Sequence, residues 1–283
     1  MLTLLFSILI SSFLFVIFKL FEKFKVDNKT AIVFNYLVAF TIGAIIEGNS
    51  LVIEYFNQTW FWAALALGIV FFLLFTLIAQ ITQEYGVAVS VLANKMSLVI
   101  PVILAVLLLN EKFSISKGLG ILSALIGIAL TLYKSDSKVS LKTFTLPIVL
   151  FIGSGFLDFS LKLNQTFLLG EVSYFAFVAT IFLGAFLFGL MFSIFKNQLK
   201  ITKTNIIAGF GLGIPNFFSI YFLMKALNLP NMESTMLFPI NNSGILLVST
   251  LLGVLFFKEK LTLVNGIGIL FCLIGIFSIA IFS

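Results

Sequence analysis

Histidine and arginine are both absent from the 283 residues, and charged residues make up only 10% of the chain. Without histidine the chain lacks the side chain that most often transfers protons near neutral pH and most often binds metals. The single cysteine, Cys272, excludes an internal disulfide, and its apolar surroundings are typical of a packing residue rather than a reactive thiol. No cluster has metal-ligand spacing, so we expect no metal, no cofactor and no enzyme activity.

The scarcity of charge is matched by an excess of apolar side chains. Hydrophobic residues make up 61% of the sequence, the mean hydropathy is +1.20, and phenylalanine alone occurs 36 times. Soluble domains carry roughly 25% charged residues. The 17 basic and 11 acidic residues cannot cover the exterior of a soluble domain of this length. The exterior must therefore face lipid.

Apolar stretches long enough to cross a bilayer can be counted along the sequence. About 20 residues of helix span the ~30 Å of hydrocarbon, and backbone groups inside lipid must be paired within the segment. Ten such stretches fit, with short polar connections that leave no room for a soluble domain. We therefore predict an all-α membrane protein with ten transmembrane helices. The predicted spans are residues 2–20, 30–47, 60–82, 87–109, 115–133, 144–163, 173–195, 204–227, 233–257 and 262–282.

The lysines indicate topology rather than nucleic-acid binding. They fall in short clusters between the apolar stretches and form no pattern typical of nucleic-acid-binding motifs. Since successive loops alternate sides, one side collects twelve lysines, and the positive-inside rule makes that side cytoplasmic. We expect a bacterial inner-membrane protein with both termini outside the cytoplasm. The twelve are Lys19, Lys23, Lys25, Lys29, Lys134, Lys138, Lys142, Lys196, Lys200, Lys203, Lys258 and Lys260, against Lys112, Lys117, Lys162 and Lys225 opposite.

An internal repeat divides the chain into two similar halves. Residues 111–128 read EKFSISKGLGILSALIGI and residues 259–276 read EKLTLVNGIGILFCLIGI, with ten of 18 positions identical at a constant separation of 148. The first helices also correspond, because SSFLFVIFKL at 11–20 resembles SGFLDFSLKL at 154–163. We predict two five-helix repeats, residues 1–138 and 139–283. Five spans is an odd number, so the second copy must enter the membrane inverted, an arrangement typical of transporters with a midplane substrate site.

The pattern of an apolar helix that ends in Glu, a short turn and a Gly-rich helix occurs in both halves. This pattern resembles the drug/metabolite transporter (DMT) superfamily, and its EamA-type members are the most similar. The resemblance extends over nearly the whole chain and is strongest over residues 86–133 and 234–281. It implies a ten-helix carrier with a central cavity, no prosthetic group, and substrates that range over amino acids, other metabolites and drugs.

Polar residues near the bilayer centre are candidates for the substrate site, because such groups are costly in hydrocarbon. Asn94 and Lys95 lie about eight residues into the fourth span, and Asn241 and Asn242 occupy the corresponding place in the ninth. One interpretation is that the amides orient a substrate while the ammonium of Lys95 binds its anionic group. The other is a structural amide clasp between helices, with Lys95 neutralised by an acid.

Asp158 stands in the sixth span where the first repeat has Phe15, so the repeat itself does not require an acid there. It could pair with Lys95 in the substrate-free state, accept a coupling proton, or bind a substrate amine. A structural alternative is a bridge to Lys162 one helical turn away.

Two further motifs carry residues that could act at the site or at helix ends. The eighth span contains GFGLGIPNFF, in which Pro215 removes a backbone donor and predicts a kinked, cavity-lining helix with Asn216 and Tyr221 towards substrate. Plain tight packing of its glycines is the alternative. Glu111 and Glu259 end apolar helices, where NEKFS and KEKLT predict capping of the helix that follows.

These features favour a gradient-driven secondary transporter of a small metabolite that works by alternating access between the repeats, with a proton as the candidate coupling ion. The sequence contains no phosphate-binding loop, which argues against an ATP-driven pump. Two alternatives stay open, a flippase for a lipid-linked sugar or amine and a membrane-embedded enzyme, although no nucleophile or acid–base pair of recognisable spacing supports the enzyme.

Overall fold

The computed structural model describes residues 2–48, 55–85, 87–111, 113–131, 145–230, 232–257 and 262–281. Every regular element in these ranges is an α-helix. The predicted boundary between the repeats at residue 138 lies outside them, as do Lys112, Lys134, Lys138, Lys142, Lys258, Glu259 and Lys260. The helices are α1 Leu2–Lys23, α2 Asn28–Glu47, α3 Thr59–Tyr85, α4 Val87–Met96, α5 Val99–Leu109, α6 Ile115–Thr131, α7 Thr145–Phe167, α8 Tyr174–Phe195, α9 Lys203–Leu227, α10 Ser234–Phe257 and α11 Leu263–Ile281.

Nine of the ten predicted spans correspond to single helices, and the fourth corresponds to α4 and α5 together. Six helical stretches in the described part of the chain are long and apolar enough to cross a membrane: Asn28–Glu47, Thr59–Ile81, Thr145–Phe167, Tyr174–Phe195, Lys203–Leu227 and Ser234–Phe256. The remaining apolar stretches are shorter: Leu2–Phe18, Ala93–Leu109, Ile115–Leu130 and Leu263–Ser278. The prediction of an all-helical membrane protein is confirmed, whereas the inversion of the repeat stays a prediction.

The helices form two compact units, and each unit draws on both halves of the sequence. The first contains Met1–Thr76 and Ser160–Asn228, and the second contains Leu77–Phe159 and Leu229–Ser283. The described helices change unit within α3 and within α7.

Close backbone approach builds the first unit around α2, which packs against α8 and α9. A Cβ atom at Gly213 of α9 would lie only 2.7 Å from the carbonyl oxygen of Asn35 in α2. Gly209 approaches the same helix at Phe34, whereas a Cβ atom at Gly211 would meet nothing within 4 Å. Gly209 and Gly213 of GFGLGIPNFF therefore allow α9 to pack tightly against α2, which agrees with the packing alternative for this motif.

The second unit is built on the antiparallel pair α6 and α11, the two Gly-rich helices of the repeat. The hydroxyl group of Ser123 donates to the carbonyl oxygen of Phe271 at 2.9 Å, and the amide of Asn265 donates to that of Leu130 at 3.2 Å. From the first of these contacts to the second, the residue number rises in α6 and falls in α11, so the two helices run in opposite directions.

The contacts between α6 and α11 are reciprocal at the separation of 148 residues. A Cβ atom at Gly127 would lie 2.5 Å from the backbone nitrogen of Cys272, and one at Gly275 would lie 2.8 Å from that of Ala124. Gly275 follows Gly127 by 148 residues, and Cys272 follows Ala124 by the same number. Equivalent residues of the two halves therefore exchange roles across this interface, as a local twofold axis requires.

The start of α10 is held by side chains from other parts of the second unit. Both carboxylate oxygens of Glu111 accept backbone N–H groups of α10, from Ser234 and Thr235, each at 3.0 Å. Lys117, on α6, forms an ion pair with Glu233. The helix that follows Glu111 is instead capped by Ser114 of NEKFS, whose hydroxyl oxygen accepts the N–H of Lys117 at 3.2 Å.

Substitution of the reciprocal glycines tests the α6–α11 interface. We expect Gly127→Ala and Gly275→Ala to lower the apparent unfolding temperature by about 3–8 °C, because each new methyl group overlaps backbone that cannot move without separating the helices. Gly266→Ala, on α11, is the matched control because its methyl group would meet nothing within 4 Å. It should leave stability unchanged or raise it, since alanine favours helix. Thermal unfolding in detergent, followed by circular dichroism, measures all three. Equal behaviour of Gly127→Ala and Gly266→Ala would contradict the close packing.

Candidate functional site

The interruption between α4 and α5 lies beside the polar residues Asn94 and Lys95. Regular helix stops at Met96 and resumes at Val99, with Pro101 in the first turn of α5. The hydroxyl group of Ser97 donates to the carbonyl oxygen of Asn94 at 2.6 Å and so satisfies a group that the end of α4 exposes. Broken helices in transporters often mark the place where backbone and side chains meet a substrate or ion.

Lys95 brings a positive charge into the interior of the second unit. The residue is 9% exposed and lies in the last turn of α4, where the carbonyl end of the helix favours a cation. Its ammonium group donates a long hydrogen bond of 3.5 Å to the side-chain oxygen of Asn242 on α10. Asp158, a half-buried residue on α7, lies near enough for its negative charge to attract the same ammonium group. The candidates Lys95, Asp158 and Asn242 thus belong to one cluster.

Asn94 connects α4 to α7 a short distance from this charge. Its amide nitrogen donates to the hydroxyl oxygen of Ser154 at 2.9 Å, and Ser154 is 4% exposed. On the same helix, a Cβ atom at Gly155 would lie 2.5 Å from Ile100 of α5, so the approach of α7 to α5 is close. Ser154 was missed by the sequence analysis. Its place one helical turn before Asp158 was the available signal.

The middle of α10 carries buried polar atoms that make no hydrogen bond within the described part of the chain. They are the side-chain oxygen of Asn241, the amide nitrogen of Asn242 and the hydroxyl oxygen of Ser243. All three residues are at most 5% exposed. A buried polar atom without a partner costs about 1–3 kcal/mol, so each such atom calls for an explanation, and a bound substrate is one candidate here. We name Asn94, Lys95, Asp158, Asn241 and Asn242, together with Ser154 and Ser243, the polar cluster.

Asn216 and Tyr221, the other two sequence candidates, lie on α9 in the first unit, and their recorded contacts are with residues of that unit. The amide nitrogen of Asn216 donates to the side-chain oxygen of Asn35 at 3.1 Å, and both residues are at most 2% exposed. The ring of Tyr221 stacks on that of Phe175, with centroids 4.0 Å apart and planes at 10°. Both contacts are sufficient to explain the residues structurally, and their role towards substrate stays a prediction.

Comparison with known proteins gives the family to which this arrangement belongs. Residues 139–281, which are 143 of the 283, match the EamA-like transporter family. An uncharacterized protein of Haemophilus influenzae (strain KW20 / Rd) is 31% identical over 287 aligned positions, covering 97% of this chain and 96% of that protein. A solved crystal structure superimposes with a TM-score of 0.79 at 16% identity, covering 99% of this chain and 96% of that one.

The apolar helices and the matched family define an integral, multi-pass membrane protein of a transporter class. The chain belongs to the EamA-like transporter family, within the DMT superfamily. The resemblance inferred from the two Glu-turn-Gly segments is thereby confirmed. The crystal structure, at its low identity, supports the fold alone.

A double-mutant cycle tests whether Lys95 and Asp158 compensate each other. Removal of one charge from an interior pair leaves the other charge uncompensated, whereas removal of both costs less, and since Asp158 is half-buried the loss is smaller than in a fully buried pair. We therefore expect Lys95→Met and Asp158→Asn each to lower the apparent unfolding temperature, and the double variant to recover much of the loss. Lys225→Gln, which removes an exposed charge, is the control. Additive losses in the double variant would show that the two groups act independently.

Proposed function

We propose that the chain is a gradient-driven transporter of a small zwitterionic metabolite, such as an amino acid or a related compound. The observation that carries the proposal is the buried Lys95, with Asp158 and Asn242 around it, at the interruption between α4 and α5. In a family of transporters, a charge pair inside the helices is a candidate for the substrate site. The bilayer itself is the second partner, and we place the protein in the inner membrane with both termini outside the cytoplasm.

The charges of the polar cluster explain why a zwitterion fits. Each buried charge needs an opposite charge close by, and an unpaired one is strongly unfavourable. A substrate carboxylate can take the place of Asp158 beside Lys95 while a substrate amine takes the place of Lys95 beside Asp158. The exchange leaves neither charge uncompensated. The unpaired amide and hydroxyl groups of Asn241, Asn242 and Ser243 then supply oriented hydrogen bonds.

The inverted repeat supplies the mechanism that we propose, alternating access at a site lined by both sequence halves. Support comes from the α6–α11 interface, where equivalent helices run antiparallel and exchange equivalent contacts. Further support comes from the hydrogen bond between Lys95, in the first half, and Asn242, in the second. Two copies related in this way allow one set of contacts to serve two states by exchanging roles.

A ligand screen tests the substrate class. Purified protein is mixed with individual amino acids and related metabolites, and the unfolding temperature is recorded. A ligand at 100 times its Kd stabilises the folded state by about 2.7 kcal/mol, which corresponds to a shift of several degrees. We expect at least one zwitterion to produce the shift and Lys95→Ala to abolish it, while Lys225→Gln keeps it. A shift that survives in Lys95→Ala would place the ligand elsewhere.

Flux through proteoliposomes tests transport and its coupling to protons. We expect the hit from the screen to be taken up saturably, at a rate that depends on pH because the proton and the substrate amine compete for Asp158, and we expect Asp158→Asn to remove that dependence. The physical reason is that asparagine cannot take up or release the proton. Unchanged flux and an unchanged pH profile in Asp158→Asn would reject the coupling role. Movement only of lipid-linked compounds would favour a flippase over the carrier.

A further inference from the structure

A cluster of exposed lysines occupies one end of the first unit, where α1 is joined to α2 and α8 is joined to α9. We call it the basic end. Among the side chains that the structure describes here, Asp27 supplies the carboxylate; the side chain of Glu22 lies outside the description. The basic end is independent of the polar cluster, all of whose residues belong to the second unit. Its lysines are Lys23, Lys25, Lys29, Lys196, Lys200 and Lys203.

Hydrogen bonds hold the two connections of the basic end together. The side-chain oxygen of Asn205, a residue 4% exposed, accepts the backbone N–H of Asp27 at 3.0 Å. The amide nitrogen of Asn205 donates to the carbonyl oxygen of Lys200 at 2.7 Å, and the N–H of Lys200 donates to the hydroxyl oxygen of Thr30 at 3.0 Å. The lysines are therefore gathered by a fixed framework rather than by two separate loops.

The side chains that the structure describes compensate the positive charge of this end only weakly. The carboxylate of Asp27 accepts the N–H and the hydroxyl group of Thr30, at 3.0 and 2.8 Å, and so serves as the N-cap of α2. The ammonium group of Lys200 lies 3.9 Å from this carboxylate, and because the Lys200 side chain is 74% exposed, the ion pair contributes little. Lys29 donates to the neutral side chain of Gln198 at 3.0 Å.

Large apolar side chains stand exposed between these lysines. Phe24 is 61% exposed, Phe195 is 79% exposed and Ile201 is 67% exposed. Phe24 and Ile201 lie outside the helices, so their exposure is not that of a lipid-facing helix surface. Lysines interleaved with exposed aromatic and aliphatic side chains are typical of surfaces that enter the boundary between headgroups and acyl chains. A small soluble anion would gain nothing from the apolar groups.

We propose that the basic end binds the headgroups of anionic phospholipids. The lysines contact the phosphate groups, while Phe24, Phe195 and Ile201 reach into the acyl boundary. Lysines next to membrane helices attract anionic lipids with about 1 kcal/mol each, which is roughly fivefold in affinity per lysine. The proposal requires that the chain is a membrane protein and does not depend on transport.

Lipid titration of charge-matched variants tests the proposal. The full chain in an uncharged detergent is titrated with phosphatidylglycerol or phosphatidylcholine, and bound lipid is counted by native mass spectrometry. We expect Lys25→Gln/Lys203→Gln to lower the affinity for phosphatidylglycerol by roughly 25-fold and to leave phosphatidylcholine unaffected. The control Lys162→Gln/Lys225→Gln removes the same charge at the other end of the first unit, where Gln165 donates to Asn228. This control should bind phosphatidylglycerol with an affinity within about twofold of the wild type.

Ionic strength and a soluble headgroup separate the lipid from a free anion. A rise from about 0.1 to about 1 M salt shortens the Debye length from about 10 to about 3 Å and should weaken phosphatidylglycerol binding. Glycerol phosphate at the same concentration should not compete. Equal binding of the two lipids, an equal loss in both variant pairs, or full competition by glycerol phosphate would each overturn the proposal. Unfolding temperatures recorded without lipid should be the same in the wild type and in both variant pairs, so that a difference in binding reports on the surface.

Discussion

A charged side chain inside an apolar helical protein must be compensated by groups of the protein itself, and the polar cluster is organised around this constraint. Three kinds of compensation meet at Lys95: the carboxylate of Asp158, the side-chain oxygen of Asn242, and the carbonyl end of α4. The third exists because the helix stops at Met96. An uninterrupted helix through this position would direct those carbonyl groups to its own next turn.

Local features of the sequence predicted most of the fold, because a membrane span is recognised by the length of one apolar run. The interruption at Ser97 and Leu98 was missed, since it exchanges one backbone hydrogen bond for a hydroxyl group and hardly changes hydropathy. The partner of Glu111 was missed for another reason. The acid follows α5 and caps α10, more than a hundred residues away, and only the tertiary fold brings these groups together.

The candidate site could be predicted as a set of polar residues but not as a set of partners. Asn94 and Asn242 were identified because they correspond in the repeat, yet Asn94 donates to Ser154 and Asn242 accepts from Lys95. Asn216 was identified from its neighbour Pro215, and it pairs with Asn35. A buried amide can be satisfied by any nearby polar group, so the burial pattern indicates that a partner exists without saying which one.

Duplication would make the two ends of the second unit equivalent, and the side chains at Lys117 and its counterpart break that equivalence. Lys117 forms an ion pair with Glu233, whereas the residue 148 positions later is Asn265, an uncharged side chain that accepts from Thr262 and donates to Leu130. The two Gly-rich helices therefore differ in the contact that each makes at this position: α6 binds the residue before α10 through a charge, whereas α11 binds the end of α6 through a neutral amide, so salt screens only the first of these contacts.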